Sequence, residues 1–551
     1  MTSPANTRLP ISDDVEAVLP AAISRAHNWL KSTADEEDKA TEQLADLLRD
    51  EDGVKFTMDF VDRVMRPEDD KVAAHALKDI SSHYDPSFLG SINGALVGAG
   101  GFFGPILPNL VMPITRIYMR KMVGHLVLDA ESESLNKTLD KAAESGEQLN
   151  LNLLGEAVLG EAEAKSRAER TLKLIQNPRV TYVSVKASSM VAQLNQWDID
   201  GSVERLKERL RPLYEEAARR NPQVFINMDM EEYHDLHLTI RLFKELMSEP
   251  EFKNLESGIV LQAYLPDTFD ALKDIAEFAK KRVAEGGAKV KVRIVKGANL
   301  SMETVQGEVH DWPLATYTNK LDVDANYYRL LDFILREEYA DSVRIGVATH
   351  NLYTAAMAYE LGKKRGVLHM MDSEMLQGMS PAQQAAVRKV FDGRQILYTP
   401  VVHAEDFDVA VSYLVRRLEE NSAPQNFLYA LFAPGEEPLA DQEETFRRAV
   451  AKRWDTFAGA RRTQNRLEED GRQAPRTGRF TNEADTDPAL AANRQWALEA
   501  LKRNSGEHGI REVTDPAAVE GHIARAKELG TEWGKRCLLY TSDAADDSLR
   551  V

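Results

Sequence analysis

Beyond Pro178, short runs rich in Val, Ile, Leu and Met alternate with longer charged stretches of helical periodicity. Runs at 180–186, 224–229, 258–264, 290–296, 343–348, 366–371, 395–398 and 426–431 predict eight strands separated by helices. That alternation predicts an α/β fold, a parallel (βα)8 barrel rather than an open sheet. A doubly wound sheet alternates in the same way, but no glycine-rich dinucleotide fingerprint follows any run. The GAGGFFG stretch near residue 100 has no strand before it and carries little weight.

In such a barrel the carboxyl ends of the strands converge on one mouth, where active sites sit. Polar residues mark most of these ends. Lys186 closes the first run, Asp229 the second, and Gln262 lies near the end of the third. Arg293 and Lys296 lie on the fourth, His350 follows the fifth, and Tyr398 ends the seventh. Any one of them could simply face solvent at a loop. Together they predict a functional mouth.

Between the seventh and eighth runs lies VAVSYLVRRLEEN, residues 409–421. Val411, Leu414, Val415 and Leu418 form an apolar helical stripe, and Tyr413, Arg416, Arg417 and Glu420 share a second face. Two guanidiniums on one face can hold a carboxylate through bidentate, charge-assisted hydrogen bonds. The alternative is a solvated face with an Arg416–Glu420 pair of small value.

Residues before about 175 read as helical, with no strand pattern, and predict an arm or cap. Runs at 15–33, 42–48, 72–80, 132–143 and 151–175 carry that periodicity. Stretch 89–119 is apolar and without acidic residues, but its prolines and glycines predict short helices and loop rather than a continuous spanning helix. It is read as buried or partner-facing, with contact to a membrane surface as the alternative.

A net charge of −19 argues against a nucleic-acid-binding body. No secretory signal is visible, and the single cysteine, Cys537, excludes an intramolecular disulfide framework, so a cytoplasmic location is expected. His234 and His237 make an HxxH, read as an exposed helix turn rather than a metal site, since further ligands would be needed. Lys186 could form a Schiff base, but pairing with an apposed Asp229 is the simpler expectation.

The motifs VKAS at 185–188, NMDMEE at 227–232, QAYLPD at 262–267 and RIVKGAN at 293–299 stand in order. ATHN at 348–351, MLQGM at 375–379 and YLVRRLEEN at 413–421 follow. This series resembles the proline dehydrogenase family, in particular the dehydrogenase half of bifunctional proline utilisation A proteins. The resemblance implies a distorted (βα)8 barrel that binds FAD non-covalently and oxidises L-proline to 1-pyrroline-5-carboxylate. A hydride would pass from proline C5 to flavin N5, and electrons onward to a quinone.

By the same resemblance, Arg416 and Arg417 grip the proline carboxylate, Lys186 adds positive charge, Tyr398 and Tyr413 wall the ring, and Leu376 supplies apolar contact. Glu420 would lie near the flavin, and Glu156, in GEA at 155–157, would gate the site by pairing with Arg416. Asp229, Gln262, Arg293, Val295, Lys296, Gly297, Ala298, Thr318, His350, Asn351, Glu374, Arg417 and Glu420 match flavin-contacting positions. Asn299 and Leu300 stand where several bacterial members carry aromatics.

The implied organisation is a helical arm at 1–145, a lead-in segment at 146–178, the barrel at 179–434 and a linker at 435–505. The start of a truncated aldehyde dehydrogenase region follows at 506–536, and 537–551 reads as an unrelated tail. A homo-oligomer is expected for the full-length parent, and peripheral membrane contact is a further expectation. Two other readings stand beside this one: another FAD-binding barrel, such as a folate reductase relative, and a non-catalytic binding or regulatory protein on the same scaffold.

Overall fold

Strand-forming residues buried on both faces define the centre of the computed structural model, which describes 13–33, 51–67, 69–84, 99–123, 126–130, 132–155, 158, 160–403, 410, 413–414, 417, 420–421, 423–433, 435, 437–469, 482–502, 513 and 515–535. Its strands are β1 (Leu128–Asp129), β2 (Gln148–Leu153), β3 (Tyr182–Lys186), β4 (Phe225–Asp229), β5 (Ser257–Gln262), β6 (Val290–Val295), β7 (Val343–Ala348), β8 (Met371–Leu376) and β9 (Gln395–Val402). Strands β2 to β9 pair in sequence, all parallel, and β9 closes back onto β2. The result is an eight-stranded barrel, with β1 a short addition outside it on β9. Helices cover the outside, and their apolar stripes meet the outward strand residues in one continuous core.

Three sequence expectations need correction. The barrel's first strand is β2, in the region read as helical. Its sequence QLNLNL does alternate, but Asn150 and Asn152 are as buried as the leucines between them, so polarity does not mark a solvent face. Strand β8 begins at Met371, where the expected strand at 366–371 ends. Gly366, at φ +71°, closes the preceding helix and a 3-10 turn over Leu368–Met370 fills the gap. The expected strand at 426–431 is instead the helix Phe427–Phe432, started by the Asn426 side chain accepting from Leu428 N–H. A short continuous apolar run cannot be assigned to helix or strand by periodicity alone.

The arm helix Asp13–Thr33 lies on the helix Leu352–Lys364 and is fastened by charge. Arg365 reaches Asp14 at 2.7 Å and Asp332 at 2.6 Å. Arg453 reaches Asp332 at 2.9 Å and Glu16 at 2.6 Å. The apolar stretch contains a helix, Pro108–Val123, that accommodates Pro113 in its interior, a longer element than expected. Phe103, Leu107, Leu110, Ile114 and Ile117 stand exposed along it and the turn before it. No helix among the described residues is long and apolar enough to cross a membrane. The expected helix at 42–48 lies outside the described residues. The described residues from Arg494 onward form a separate unit, which contains the helix Pro516–Lys535.

Candidate active site

The barrel interior is charged along one line. Arg344 pairs with Asp372 at 2.7 Å, and Asp372 with Lys291 at 2.9 Å. Lys291 reaches Glu374 at 2.7 Å, Glu374 reaches Arg293 Nε at 2.8 Å, and Arg293 reaches Asp229 at 3.5 Å. Cations and carboxylates alternate, so each buried charge is flanked by opposite ones. Lys291 has no exposed side-chain surface. Its burial opposes the charge, but Glu374, Tyr182 and Asp372 hold it firmly protonated. Glu374, expected against the flavin, is therefore the counter-ion between Lys291 and Arg293. Its side chain is 1% exposed.

At the top of this line the guanidinium of Arg293 lies 4.5 Å from the ring centre of Tyr398. The Tyr398 hydroxyl donates to Asp229 at 2.9 Å and accepts from Asn152, one residue of the missed strand. Asn227 and Ser184 donate to the other Asp229 oxygen. Burial pushes the Asp229 carboxyl above the usual range, against the pull of Arg293 and Lys186. Lys186 does not pair with Asp229 as expected. It reaches past it to Glu231 at 2.5 Å, where Ser188 also donates at 2.9 Å.

Tyr413, Leu414, Arg417, Glu420 and Asn421 are helical. Leu414 is buried, as the apolar stripe required. Arg417 holds Glu420 with both terminal nitrogens at 2.7 Å and lies 5.4 Å from the Tyr413 ring centre. Glu420 thus pairs at i,i+3 with Arg417. Arg416 and Glu156 lie outside the described residues, as do Val411, Val415 and Leu418. His350 feels the charge of Arg417, and ionisation of Tyr413 would oppose that of Tyr398, so this helix and the strand ends share one site.

His350 Nε2 accepts from Leu376 N–H at 2.9 Å, so its neutral form carries the proton on Nδ1. Burial, reinforced by Arg417, lowers its pKa from 6.5 to about 4. An unfolded chain gains a proton at His350 below about pH 6.5 that the folded chain refuses until about pH 4, so this residue costs stability as pH falls through that window. His350→Gln keeps an acceptor for Leu376 N–H without titrating. Urea midpoints at pH 7 and pH 5 are expected to show the variant gaining on the parent as pH falls. A constant difference would mean that His350 is not held neutral.

The remaining expected cofactor residues divide. Gln262 donates to Glu231 O at 3.0 Å, and its buried Oε1 has no partner among the described residues; Val295 is its neighbour across β5 and β6. Gly297 has φ +123°, and a Cβ there would lie 2.4 Å from the Tyr264 ring, so only glycine suits this loop. Ala298 and Thr318 are exposed. Lys296 pairs with Asp324 at 2.5 Å, and burial lowers it to about 8. Asn351 caps the helix Leu352–Lys364 by accepting from Thr354 N–H at 3.1 Å, which gives it a structural task.

Among the described residues the site therefore contains a buried amide oxygen at Gln262 and a buried Nε at Arg417 without partners, a glycine loop at 297 and a guanidinium between a carboxylate and a phenol. This donor and acceptor set fits a polar heterocycle such as a flavin, and the Arg417 fork fits a small carboxylate. Sequence reasoning missed Asn152, Asn227, Glu231 and Lys291. The signal for the asparagines was polar residues on alternate positions of a strand. His234 and His237 do not share a helix as expected. His234 lies in the 3-10 turn Tyr233–Asp235 and contacts Glu232 at 3.1 Å.

Residues 135–430 match the family model described as proline dehydrogenase. Among curated relatives, the bifunctional protein PutA of Klebsiella aerogenes is 28% identical over 374 residues, covering 64% of this chain and 27% of that protein. Proline dehydrogenase 1 of Bacillus subtilis (strain 168) is 26% identical over 299 residues, covering 54% of this chain and 85% of its own length. The solved structure of proline utilization A from Corynebacterium freiburgense is 54% identical, with a TM-score of 0.63 over 75% of this chain and 39% of that one. That from Bdellovibrio bacteriovorus, inactivated by N-propargylglycine, is 26% identical with a TM-score of 0.69 over 91% and 50%. The chain spans about a quarter of the length of the first curated relatives it matches.

Proposed function

The chain belongs to the proline dehydrogenase family, and we propose that it oxidises L-proline to 1-pyrroline-5-carboxylate using non-covalently bound FAD. The observation that carries this reading is the convergence of Arg417, Tyr413, Tyr398, His350 and Leu376 on one end of a barrel whose strands lie within the matched stretch.

Arg417 offers the substrate carboxylate the bidentate fork that Glu420 now occupies, so binding exchanges one carboxylate for another. Arg416 completes the clamp, Lys186 adds positive charge, and Glu156 gates the entrance by pairing with Arg416. Tyr398 and Tyr413 wall the ring, and Leu376 fills its apolar side. The ring is thereby oriented with its C5 hydrogen towards the strand ends. The amine must be deprotonated before C5 can release a hydride. FAD, when bound, supplies the acceptor for that hydride.

Gln262 would hold the cofactor through its open amide oxygen, with Val295, Lys296, Gly297, Ala298, Thr318 and Asn351 lining it. Arg293 brings a fixed positive charge to that surface, and Asp229, Glu374 and Tyr398 fix Arg293. Asn299 and Leu300 then set the packing where relatives have aromatics. The exposed apolar face of Pro108–Val123 suits peripheral contact with a membrane that carries a quinone acceptor.

The paired arginine–tyrosine surface suits an amino-acid carboxylate better than a folate. Incubation with proline and an artificial electron acceptor should accumulate a cyclic imine that an aromatic amino-aldehyde traps as a coloured adduct. Proline-independent reduction, or no adduct, would contradict the reading.

A further inference from the structure

Residues 457–462 and 485–487 are fastened to the loops of the candidate cofactor site. Gly459 N–H donates to Pro266 O at 3.2 Å, just beyond β5. Arg461 donates to Thr316 O, and Arg462 Nε to Pro313 O at 3.0 Å. The Tyr317 hydroxyl donates to Phe457 O. Asp485 closes the other side: its carboxylate meets His310 at 2.7 Å, and its carbonyl accepts from the Trp312 indole at 2.7 Å.

Arg462 is the centre of this arrangement. Its side chain is 3% exposed and pairs with Asp487, 2% exposed, at 3.3 Å. The guanidinium lies 4.8 Å from the Trp312 ring centre and 4.9 Å from that of Tyr233. One cation thus touches the loop after β6, through Trp312 and Pro313, and the loop after β4, through Tyr233. Both loops lead to the site. Tyr233 is two residues from Glu231, the partner of Lys186. Tyr317 N–H donates to Tyr264 O at 2.8 Å, Tyr264 N–H to Lys296 O at 2.7 Å, and the Tyr264 ring presses on Gly297.

We propose that residues 457–462 and 485–487, outside the stretch that defines the family, belong to the cofactor site as a brace. Arg461 and Arg462 position the loops after β4 and β6 so that the backbone around Gly297 and Thr318 is set before FAD arrives. The proposal rests on the reading of this site as one for FAD. A contact that only adds stability would weaken every property together. A brace for these two loops acts on cofactor affinity and leaves the Arg417 clamp alone, because its contacts fall elsewhere on the rim.

The test uses the full chain, with Arg462→Leu and the more conservative Asp487→Asn. FAD is titrated into cofactor-stripped protein by fluorescence, and backbone hydrogen exchange of 230–235 and 311–319 is followed without FAD. Both variants are expected to raise the FAD Kd by about tenfold or more and to speed exchange in both loops, with KM for proline at saturating FAD within about twofold of the parent. Parental Kd and exchange in both variants would overturn the brace. So would a parallel loss of FAD affinity, proline KM and thermal stability, which marks a purely structural contact. A parent chain that takes up no FAD overturns the cofactor reading itself, a failure distinct from either.

Discussion

Arg417→Met is expected to raise KM for proline by roughly 10- to 100-fold while the protein keeps its fold. The motive is the bidentate hold of Arg417 on Glu420, which shows the fork already set for a carboxylate at the barrel mouth. Losing a charge-assisted hydrogen-bond pair to a bound anion costs about 1.5–3 kcal/mol, which is that range of affinity. The fold should survive because the existing pair is an i,i+3 contact on a partly exposed helix, and such pairs add little stability. Proline analogues lacking the carboxylate should lose their handicap in the variant. Steady-state kinetics with proline, alongside thermal unfolding, checks both halves; an unchanged KM would remove Arg417 from the clamp.

The second large effect is on stability. Lys291→Met should destabilise the chain by about 3–5 kcal/mol, because it leaves Asp372 and Glu374 buried with one cation fewer. The alternation of charge from Arg344 to Asp229 is what makes the interior tolerable, and Lys291 is the cation between Asp372 and Glu374. Adding Glu374→Gln to the variant should recover part of the loss, since it removes one of the two stranded charges. Equilibrium unfolding in urea measures both. A single variant as stable as the parent would show that the ladder does not balance as the distances imply.

The helical layer and most strands could be read from pattern, because β3 to β7 are short runs rich in Val, Ile, Leu and Met with helices between them. What pattern could not show was the polar interior. Asn150, Asn152, Asn227 and Lys291 occupy inward positions that hydrophobic periodicity leaves empty, so β2 was hidden and a helix at Phe427–Phe432 took its place in the strand count. Asp229, Arg293 and Tyr398 do meet, as strand-end polarity suggested. The partner of Lys186 was misjudged for a plain reason. Reach and direction of a side chain decide between neighbouring acids or bases, and spacing along the sequence does not carry that information. The brace at Arg462 was illegible because its contacts join residues about 150 to 230 positions apart, bridging to Pro313 and Tyr233.

The claim on which the rest depends is that this barrel mouth brings proline and a flavin together. Anaerobic mixing of the FAD-loaded chain with proline, followed by flavin absorbance, tests it in one step. Bleaching of the flavin band that saturates with proline, and that needs far more proline in Arg417→Met, is the predicted result. A flavin band that proline leaves unchanged, in a protein that demonstrably holds FAD, would contradict it.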